Sequence, residues 1–257
     1  MLRAFGVDGP RRLAGGQGSS WVADGLVLKP GGGPVHEWLA HALEDVSADG
    51  FRLTAPVRTR QGAWSCEGWS ATRWVDGTEP DHKSPSTWQA ILKVGRAFHR
   101  ATAHLDRPAC LDARDDRWAV ADRAAWNEQV VPVHPLFDDL RRRLQQALAP
   151  LGPSQIVHGD LTGNVLFSRS LPPAVLDISP YWRPPAYAEG VVVADALCWH
   201  EADGSLLDRA GVDAAAVARA LLFRMTTTSL AALCGREYVD LEDQARRFHR
   251  AAEAIGV

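Results

Sequence analysis

Apolar and polar residues alternate over short distances in the first third of the chain. Residues 21–23 and 26–29 are apolar segments that flank Asp24-Gly25, a pair that favours a tight turn between two strands. After a loop rich in glycine and proline, the apolar positions of residues 36–43 fall on one helical face. The pattern therefore predicts a β-hairpin followed by a single helix.

A second hairpin is predicted from residues 53–60 and 63–75, with its turn at Gln61-Gly62. Residues 76–85, which follow, are polar and rich in turn-forming residues, and this composition is typical of a boundary between lobes. We therefore expect residues 1–75 to form a small, β-rich N-terminal lobe.

Helical spacing dominates residues 76–257, which we expect to form a larger and mainly helical lobe. Short strands predicted within residues 155–178 interrupt the helices and form a small hairpin. The expected fold class is therefore α+β. The predicted helices cover residues 88–104, 117–129, 136–148, 214–233 and 241–254.

The composition allows a substantial core and argues against several classes of protein. The chain has 257 residues, of which 46% are hydrophobic, and a net charge of −3, so nothing indicates a nucleic-acid partner. Its four cysteines form no Cys-x-x-Cys pair, which argues against a zinc site or a disulfide framework. No segment looks long enough for a signal peptide or a membrane span, so we expect a cytoplasmic protein without a membrane partner.

Three side chains suited to phosphoryl transfer lie within the predicted strand region of residues 155–178. Asp160 can orient an acceptor hydroxyl, and Asn164 and Asp177 offer the oxygen ligands that magnesium prefers. His158 precedes them, and we expect it to bind the loop backbone and fix its shape. The spacing predicts a catalytic carboxylate beside a magnesium site.

Candidate nucleotide-binding residues precede this stretch. Lys29 ends a predicted strand, in a chain with three lysines and 25 arginines, and Glu37 lies in the first turn of the next helix. A strand lysine held by a helix glutamate can bind the α- and β-phosphates of a nucleotide, although each residue taken singly is typical of a solvated surface. A glycine-rich loop between the first strands offers backbone N–H groups to phosphates, or is a plain hairpin loop. Its candidate residues are Gly16, Gln17, Gly18, Ser19 and Ser20.

The segment His158-Gly159-Asp160-Leu161, followed by Asn164-Val165-Leu166 and then Asp177, resembles the catalytic loop of the aminoglycoside phosphotransferase family, a part of the protein-kinase-like superfamily. The glycine loop, Lys29 and Glu37 fall where that family has its nucleotide loop, strand lysine and helix glutamate. The resemblance implies a bilobal, protein-kinase-like fold that uses ATP or GTP and Mg²⁺. It also implies that the acceptor is a hydroxyl of a small polar molecule, such as an aminoglycoside, amino sugar, sugar or amino alcohol.

The same resemblance suggests roles for residues later in the chain. Asp195 falls at a family position that braces the catalytic loop. Five side chains that follow Asp177 are candidates for lining an acceptor pocket, and packing in the core is the alternative for each aromatic one. They are Trp182, Arg183, Tyr187, Trp199 and His200.

Two departures from the family pattern leave rival functions open. Three residues separate Asp160 from Asn164 where the family usually has four, so Gly163 would have to supply a compensating turn. This shortening favours, as an alternative, a catalytically silent kinase-like protein that binds nucleotide. Residues 178–180 are Ile-Ser-Pro and do not form the Asp-Phe-Gly motif of protein kinases, so an atypical protein kinase with a regulated activation segment is the weaker alternative.

Overall fold

The computed structural model describes residues 1–13, 18–235 and 238–257. Within these ranges it contains ten strands in three sheets and nine α-helices. The strands are β1 (Arg11–Arg12), β2 (Trp21–Ala23), β3 (Leu26–Pro30), β4 (Arg52–Leu53), β5 (Ser65–Cys66), β6 (Trp69–Arg73), β7 (Gln155–His158), β8 (Val165–Leu166), β9 (Ala174–Val175) and β10 (Pro180–Arg183). The helices are α1 (Leu2–Phe5), α2 (Pro34–Ala42), α3 (Pro85–Ala101), α4 (Arg117–Ala125), α5 (Asp138–Gln146), α6 (Pro185–Trp199), α7 (Ser205–Ala210), α8 (Ala214–Cys234) and α9 (Leu241–Ala254).

Five antiparallel strands form the N-terminal sheet, in the order β1-β2-β3-β6-β5. The predicted hairpin of β2 and β3 is confirmed, with Trp21 opposite Leu28. Its turn at Asp24 and Gly25 has φ angles of 45° and 74°, the left-handed pair that a tight two-residue hairpin needs. Because β3 pairs on both sides, with β2 and with β6, it fixes the backbone of Lys29 at the centre of the sheet.

The second predicted hairpin differs from the structure in two ways. The tight hairpin is formed by β5 and β6, and its turn lies at Glu67-Gly68 and not at Gln61-Gly62. Both residues of that turn have positive φ angles, of 54° and 75°, as a two-residue hairpin loop requires. Residues 55–59 run beside β6, with Val57 N–H donating to the Ala71 carbonyl at 2.9 Å. β4 is not part of this sheet and pairs instead with β9.

A three-stranded sheet, β4-β9-β8, ties the first part of the chain to the second. β4 pairs in parallel with β9, where Leu53 lies opposite Val175, and Leu53 packs against the larger hydrophobic core. A separate two-stranded sheet joins β7 and β10. The catalytic candidates lie in the loop between β7 and β8 and at the second residue after β9, and each of these segments continues from a paired strand.

The larger core is built around α6, which packs against α3, α8 and α9. Val192, Val193 and Ala194 of α6 have no exposed surface. Helical periodicity did not predict α6, because a helix that is apolar on all its faces has no amphipathic stripe to detect. The five helices that were predicted by periodicity in this lobe are present, with ends that differ by a few residues.

Helix α8 corrects one expectation from the sequence. By length and composition it is apolar enough to cross a membrane, and it is the only such helix in the described ranges. However, 61% of its most apolar window is buried inside the protein, as in the core helix of a compact domain. Two arginines, Arg219 and Arg224, interrupt its apolar sequence, and both are largely enclosed by the protein, with Arg219 only 8% exposed.

Candidate active site

The candidate catalytic loop begins where β7 ends. The Gly159 N–H donates to the Ser179 carbonyl at 3.0 Å, which continues the pairing of β7 with β10. A Cβ atom at Gly159 would lie 2.5 Å from the ring of Tyr181, so a larger side chain would force the two segments apart. This close packing fixes the direction in which the chain leaves β7, and hence the position of Asp160.

His158, which is fully buried, connects the two segments that carry the aspartates. Its Nδ1 accepts the Asp160 N–H at 3.2 Å, so its Nε2 carries the ring proton and donates to the Leu176 carbonyl at 3.0 Å. Burial lowers the pKa of His158, which keeps the ring in this neutral form. The backbone N–H of His158 donates to Nε2 of His99 at 3.1 Å. These bonds are consistent with the structural role predicted for His158.

Asn164 contacts Asp160 although the loop is short. Its Nδ2 donates to the Asp160 carbonyl at 2.7 Å and lies 3.4 Å from Asp160 Oδ2. Gly163 takes a left-handed φ of 79°, and the Asn164 N–H closes the turn on the Leu161 carbonyl at 3.0 Å. Because the amide nitrogen of Asn164 is engaged by the loop itself, its Oδ1 is the atom that remains for a cation.

Asp177 lies next to Lys29. Its Oδ2 is 2.9 Å from Lys29 Nζ, and its backbone has a left-handed φ of 42°. The expected pair between Lys29 and Glu37 is not among the ion pairs of the described residues; Glu37 instead accepts the Ser65 hydroxyl at 3.4 Å. The physical reason is that the first turn of α2 sets Glu37 beside edge strand β5, whereas Lys29 reaches across to the segment after β9.

Asn164 and Asp177 are a suitable donor set for magnesium. The Leu176 N–H donates to the Asn164 carbonyl at 2.9 Å, so the two candidate ligands lie on neighbouring, hydrogen-bonded segments. Magnesium prefers hard oxygen donors and usually completes its shell with water and nucleotide phosphates. The described residues contain no group of three or more His, Cys, Asp or Glu side chains arranged to hold a metal ion.

Arg224 is a site residue that the sequence reasoning missed. Its Nε and Nη2 donate to the two carboxylate oxygens of Asp195, at 2.8 and 2.7 Å, and Nη2 also donates to Asp160 Oδ1 at 2.7 Å. Burial raises the pKa of Asp195, and the Arg224 guanidinium opposes that shift. Asp195, expected to brace the loop, thus reaches Asp160 through Arg224. The available signal was an arginine within the apolar run of α8.

The glycine-rich loop is only partly described. Gly16 and Gln17 lie outside the described residues. Gly18 has a φ of 65° and its carbonyl accepts from Arg12 Nε, and the Ser20 carbonyl accepts the Leu13 N–H at 2.9 Å. These bonds pair the strands on either side of the loop. The phosphate-binding roles of Gly16, Gln17, Gly18, Ser19 and Ser20 stay predictions.

Comparison with known proteins decides the family. The sequence model of the phosphotransferase enzyme family matches residues 35–220, which is well over half of the chain and includes both candidate aspartates. The chain belongs to this phosphotransferase family. The resemblance predicted from the catalytic loop is therefore confirmed, and the protein is a small-molecule phosphotransferase. The comparison with curated proteins found no significant match.

Solved structures place this phosphotransferase among protein-kinase-like folds, as predicted. An aminoglycoside phosphotransferase from Alicyclobacillus acidocaldarius is similar with a TM-score of 0.61 and 16% identity, over 99% of this chain and 92% of that one. Choline kinase LicA from Streptococcus pneumoniae gives a TM-score of 0.64 and 14% identity, over 99% and 95%. Spectinomycin phosphotransferase, solved in complex with ADP and spectinomycin, gives 0.57 and 16%, over 98% and 93%.

Three of the predicted acceptor residues of the phosphotransferase lie in the core or beside a small cavity. Tyr187 is only 1% exposed, so the expectation that it lines an acceptor pocket is corrected: it is a core residue. Arg183 donates to the buried carboxylate of Asp122 at 2.7 Å and to Glu128 at 2.6 Å, so its guanidinium is already neutralised. Trp182 and Arg183 border a cavity of about 50 Å³, which is too small for a sugar or an amino alcohol.

Trp199 and His200 lie in different surroundings, at the end of α6. They line a cavity of about 670 Å³, within the usual size of small-molecule sites, beside His82 and Lys83. The His200 ring stacks on His82 with 4.5 Å between ring centroids. Trp199 is four residues after Asp195, on the same face of α6 and one turn further along. The cavity lies between residues 80–83, the end of α6 and helix α9, which contributes Asp243 and Arg247.

Proposed function

We propose that this phosphotransferase moves the γ-phosphate of ATP to a hydroxyl of a small polar molecule, with Mg²⁺ as the cofactor. The supporting observation is the arrangement of Asp160, Asn164, Asp177 and Lys29, in which the shortened loop keeps Asn164 bonded to the Asp160 carbonyl at 2.7 Å. Solved relatives contain ADP or AMP-PNP, which favours ATP over GTP as the donor.

The proposed roles follow from the chemistry of each side chain. Lys29 binds the α- and β-phosphates, and Asp160 orients the acceptor hydroxyl and receives its proton as the new oxygen–phosphorus bond forms. Asn164 Oδ1 and Asp177 would hold magnesium, which neutralises charge on the phosphates when bound. Since little covalent chemistry falls to the protein, positioning and charge supply most of the rate enhancement.

The division of labour between the lobes is part of the proposal. Residues 1–75 would hold the nucleotide, through Lys29 and the glycine-rich loop, and residues 76–257 would carry the catalytic loop and the acceptor. Among the described residues, the ion-pair partner of Lys29 is Asp177, and Glu37 accepts the Ser65 hydroxyl, so the predicted support of Lys29 by Glu37 stays a prediction. The four cysteines are unpaired, which suits a reducing cytoplasm, where ATP is supplied.

Trp199 and His200 are the predicted acceptor residues that keep this role in the proposal. The supporting observation is the 670 Å³ cavity that they line. We place aminoglycosides, amino sugars and amino alcohols first among the acceptor classes, because relatives of the same fold include an enzyme solved with spectinomycin and a choline kinase. Sugars without an amino group come next.

The test is an acceptor screen with ATP and Mg²⁺, read by ADP release and by mass spectrometry of the phosphorylated product. Omission of Mg²⁺ and replacement of ATP by GTP are the controls. We expect transfer to at least one acceptor, dependent on Mg²⁺ and faster with ATP. Tight binding of ATP measured by calorimetry, with no ADP release above the no-enzyme rate for any acceptor class, would instead support the catalytically silent alternative.

A further inference from the structure

Arg224 links a buried carboxylate to the proposed catalytic one. The side chains of Asp195, Arg224 and Asp160 are 5%, 14% and 42% exposed, so the three groups form a path from the core to the cleft. One guanidinium makes both contacts: Nε and Nη2 grip Asp195 as a fork, and the second hydrogen of Nη2 is donated to Asp160 Oδ1. The fork leaves Arg224 little freedom to turn.

We infer that Arg224 is the positioning residue of phosphoryl transfer: anchored on Asp195, it holds Asp160 Oδ1 so that Oδ2 faces the acceptor hydroxyl. This inference rests on the function proposed above. The two oxygens of Asp160 are not equivalent. Oδ1 receives a charge-assisted bond of 2.7 Å from Arg224, whereas Oδ2 has only a 3.4 Å contact with Asn164 Nδ2.

Each bond that forms or breaks in the transfer step can then be assigned to named atoms. The acceptor oxygen bonds to the γ-phosphorus as its O–H bond breaks, and the proton passes to Asp160 Oδ2. The bond from the γ-phosphorus to the bridging oxygen breaks, and ADP leaves with that oxygen. Arg224 takes no part in these bonds; it acts on the reaction only by limiting the rotation of the Asp160 carboxylate.

An arginine is required by the geometry. Its planar guanidinium can bind both oxygens of Asp195 and still offer a hydrogen to Asp160, whereas a lysine ammonium is a point charge on a flexible stem. The carboxylates raise the pKa of Arg224 beyond its already high value, against the effect of burial, so the group stays charged at every accessible pH. The competing explanation is that Arg224 only neutralises the buried charge of Asp195.

Two variants separate the explanations. Arg224→Lys keeps a cation for Asp195 but loses the fork, and we expect kcat to fall on the order of 10²-fold, the loss that a displacement of about 1 Å can cause. The KM for ATP should not change, because the side chain of Arg224 binds Asp195 and Asp160 and none of the described nucleotide-binding candidates. Arg219→Met is the matched control, since Arg219 is also enclosed on α8 but donates to the Ala125 carbonyl over the ring of Trp126. It should lower stability and leave kcat unchanged.

A double-mutant cycle distinguishes a residue that positions Asp160 from one that only stabilises the fold. If Arg224 acts through Asp160, then Arg224→Lys in the Asp160→Asn background should cause no further loss of kcat. Independent, multiplying losses would overturn the inference, as would wild-type kcat in a folded Arg224→Lys variant. A wild-type protein that transfers phosphate to no acceptor would instead overturn the proposed function itself. Arg224→Met should lose more activity than Arg224→Lys, and circular dichroism is used to check that each variant is folded.

Discussion

Lys29 Nζ lies 2.9 Å from Asp177 Oδ2, and this ion pair joins the central strand of the N-terminal sheet to the segment after β9. The lysine and aspartate are 29% and 61% exposed, so water and ions can reach the pair. A nucleotide phosphate and a magnesium ion carry the charges that would replace the two partners. Under the proposed function, a phosphate would bind Lys29 and magnesium would bind Asp177 in place of this ion pair.

Replacement of Lys29 by methionine should weaken the binding of ADP and ATP. A charge-assisted contact with phosphate is lost, so we expect Kd to rise by roughly tenfold, equivalent to about 1.4 kcal/mol. Titration calorimetry with Mg²⁺ and ADP measures the effect. Lys93→Met is the matched control, because Lys93 is an exposed lysine on α3. Equal affinity and equal turnover in both variants would make Lys29 a surface cation.

Gly163→Ala should lower kcat by more than its loss of folding stability would cause. The φ angle of Gly163 is 79°, a conformation that costs alanine on the order of 1–2 kcal/mol, and relief of this strain would shift Asn164. Gly62→Ala is the matched control, because Gly62 lies in an N-terminal turn with a φ of 86° and an added Cβ there would meet no atom within 4 Å. Urea unfolding should give similar losses for both variants, and kcat should fall only for Gly163→Ala. Equal kcat values would contradict the role of the shortened loop.

Arg183→Met should destabilise the fold and leave the acceptor KM unchanged. The side chains of Arg183 and Asp122 are 11% and 7% exposed, and loss of one partner of such a buried pair typically costs about 3–5 kcal/mol. A second change, Asp122→Asn, removes the carboxylate that has lost its partner and should recover part of the lost stability. Urea midpoints and steady-state kinetics test this prediction. A raised acceptor KM with unchanged stability would restore Arg183 to the acceptor pocket.

Acid should destabilise the protein through two buried histidines. Burial lowers the pKa of His99 to about 3 and also lowers that of His158, against the ordinary value of 6.5 for both. The unfolded chain therefore binds more protons than the native one below pH 6.5. Stability from these groups is complete above that pH and falls as the pH drops, by up to about 1.4 kcal/mol per pH unit for each histidine. For His99 this loss continues toward pH 3.

His99→Gln tests this account, because a glutamine oxygen can still accept the His158 N–H. The dependence of unfolding free energy on pH between 6.5 and 4 should be shallower in the variant than in the wild type. The difference between the two curves removes the contribution of the carboxylates. Identical slopes would mean that His99 titrates normally in the folded protein.

The sequence predicted the geometry of the proposed catalytic loop because its residues are close together in the chain. His158, Asp160 and Asn164 lie within seven residues, so local spacing carries most of their geometry. The compensating turn at Gly163 was predictable for the same reason, since only glycine enters the left-handed region at little cost. The hairpin of β2 and β3 follows from Asp24-Gly25 in the same way.

Contacts between distant segments were not predictable from spacing. Arg183 follows Asp177 closely in the chain, but β10 carries it to Asp122, 61 residues earlier. Arg224 meets Asp160 only because α8 presents that one position to the loop, and the register of a helix against a loop is set by packing of the whole core. A charged residue in an apolar helix was the one local sign, since burial of a charge requires a partner.

The most direct test of the central claim is the turnover of Asp160→Asn with ATP, Mg²⁺ and the best acceptor. Asparagine keeps the shape of the side chain but cannot take the hydroxyl proton, so kcat should fall on the order of 10²- to 10⁴-fold with the fold unchanged. Asp139→Asn, on an exposed face of α5, is the control and should match the wild type. A folded Asp160→Asn variant with wild-type kcat would contradict the assignment of Asp160 as the catalytic carboxylate.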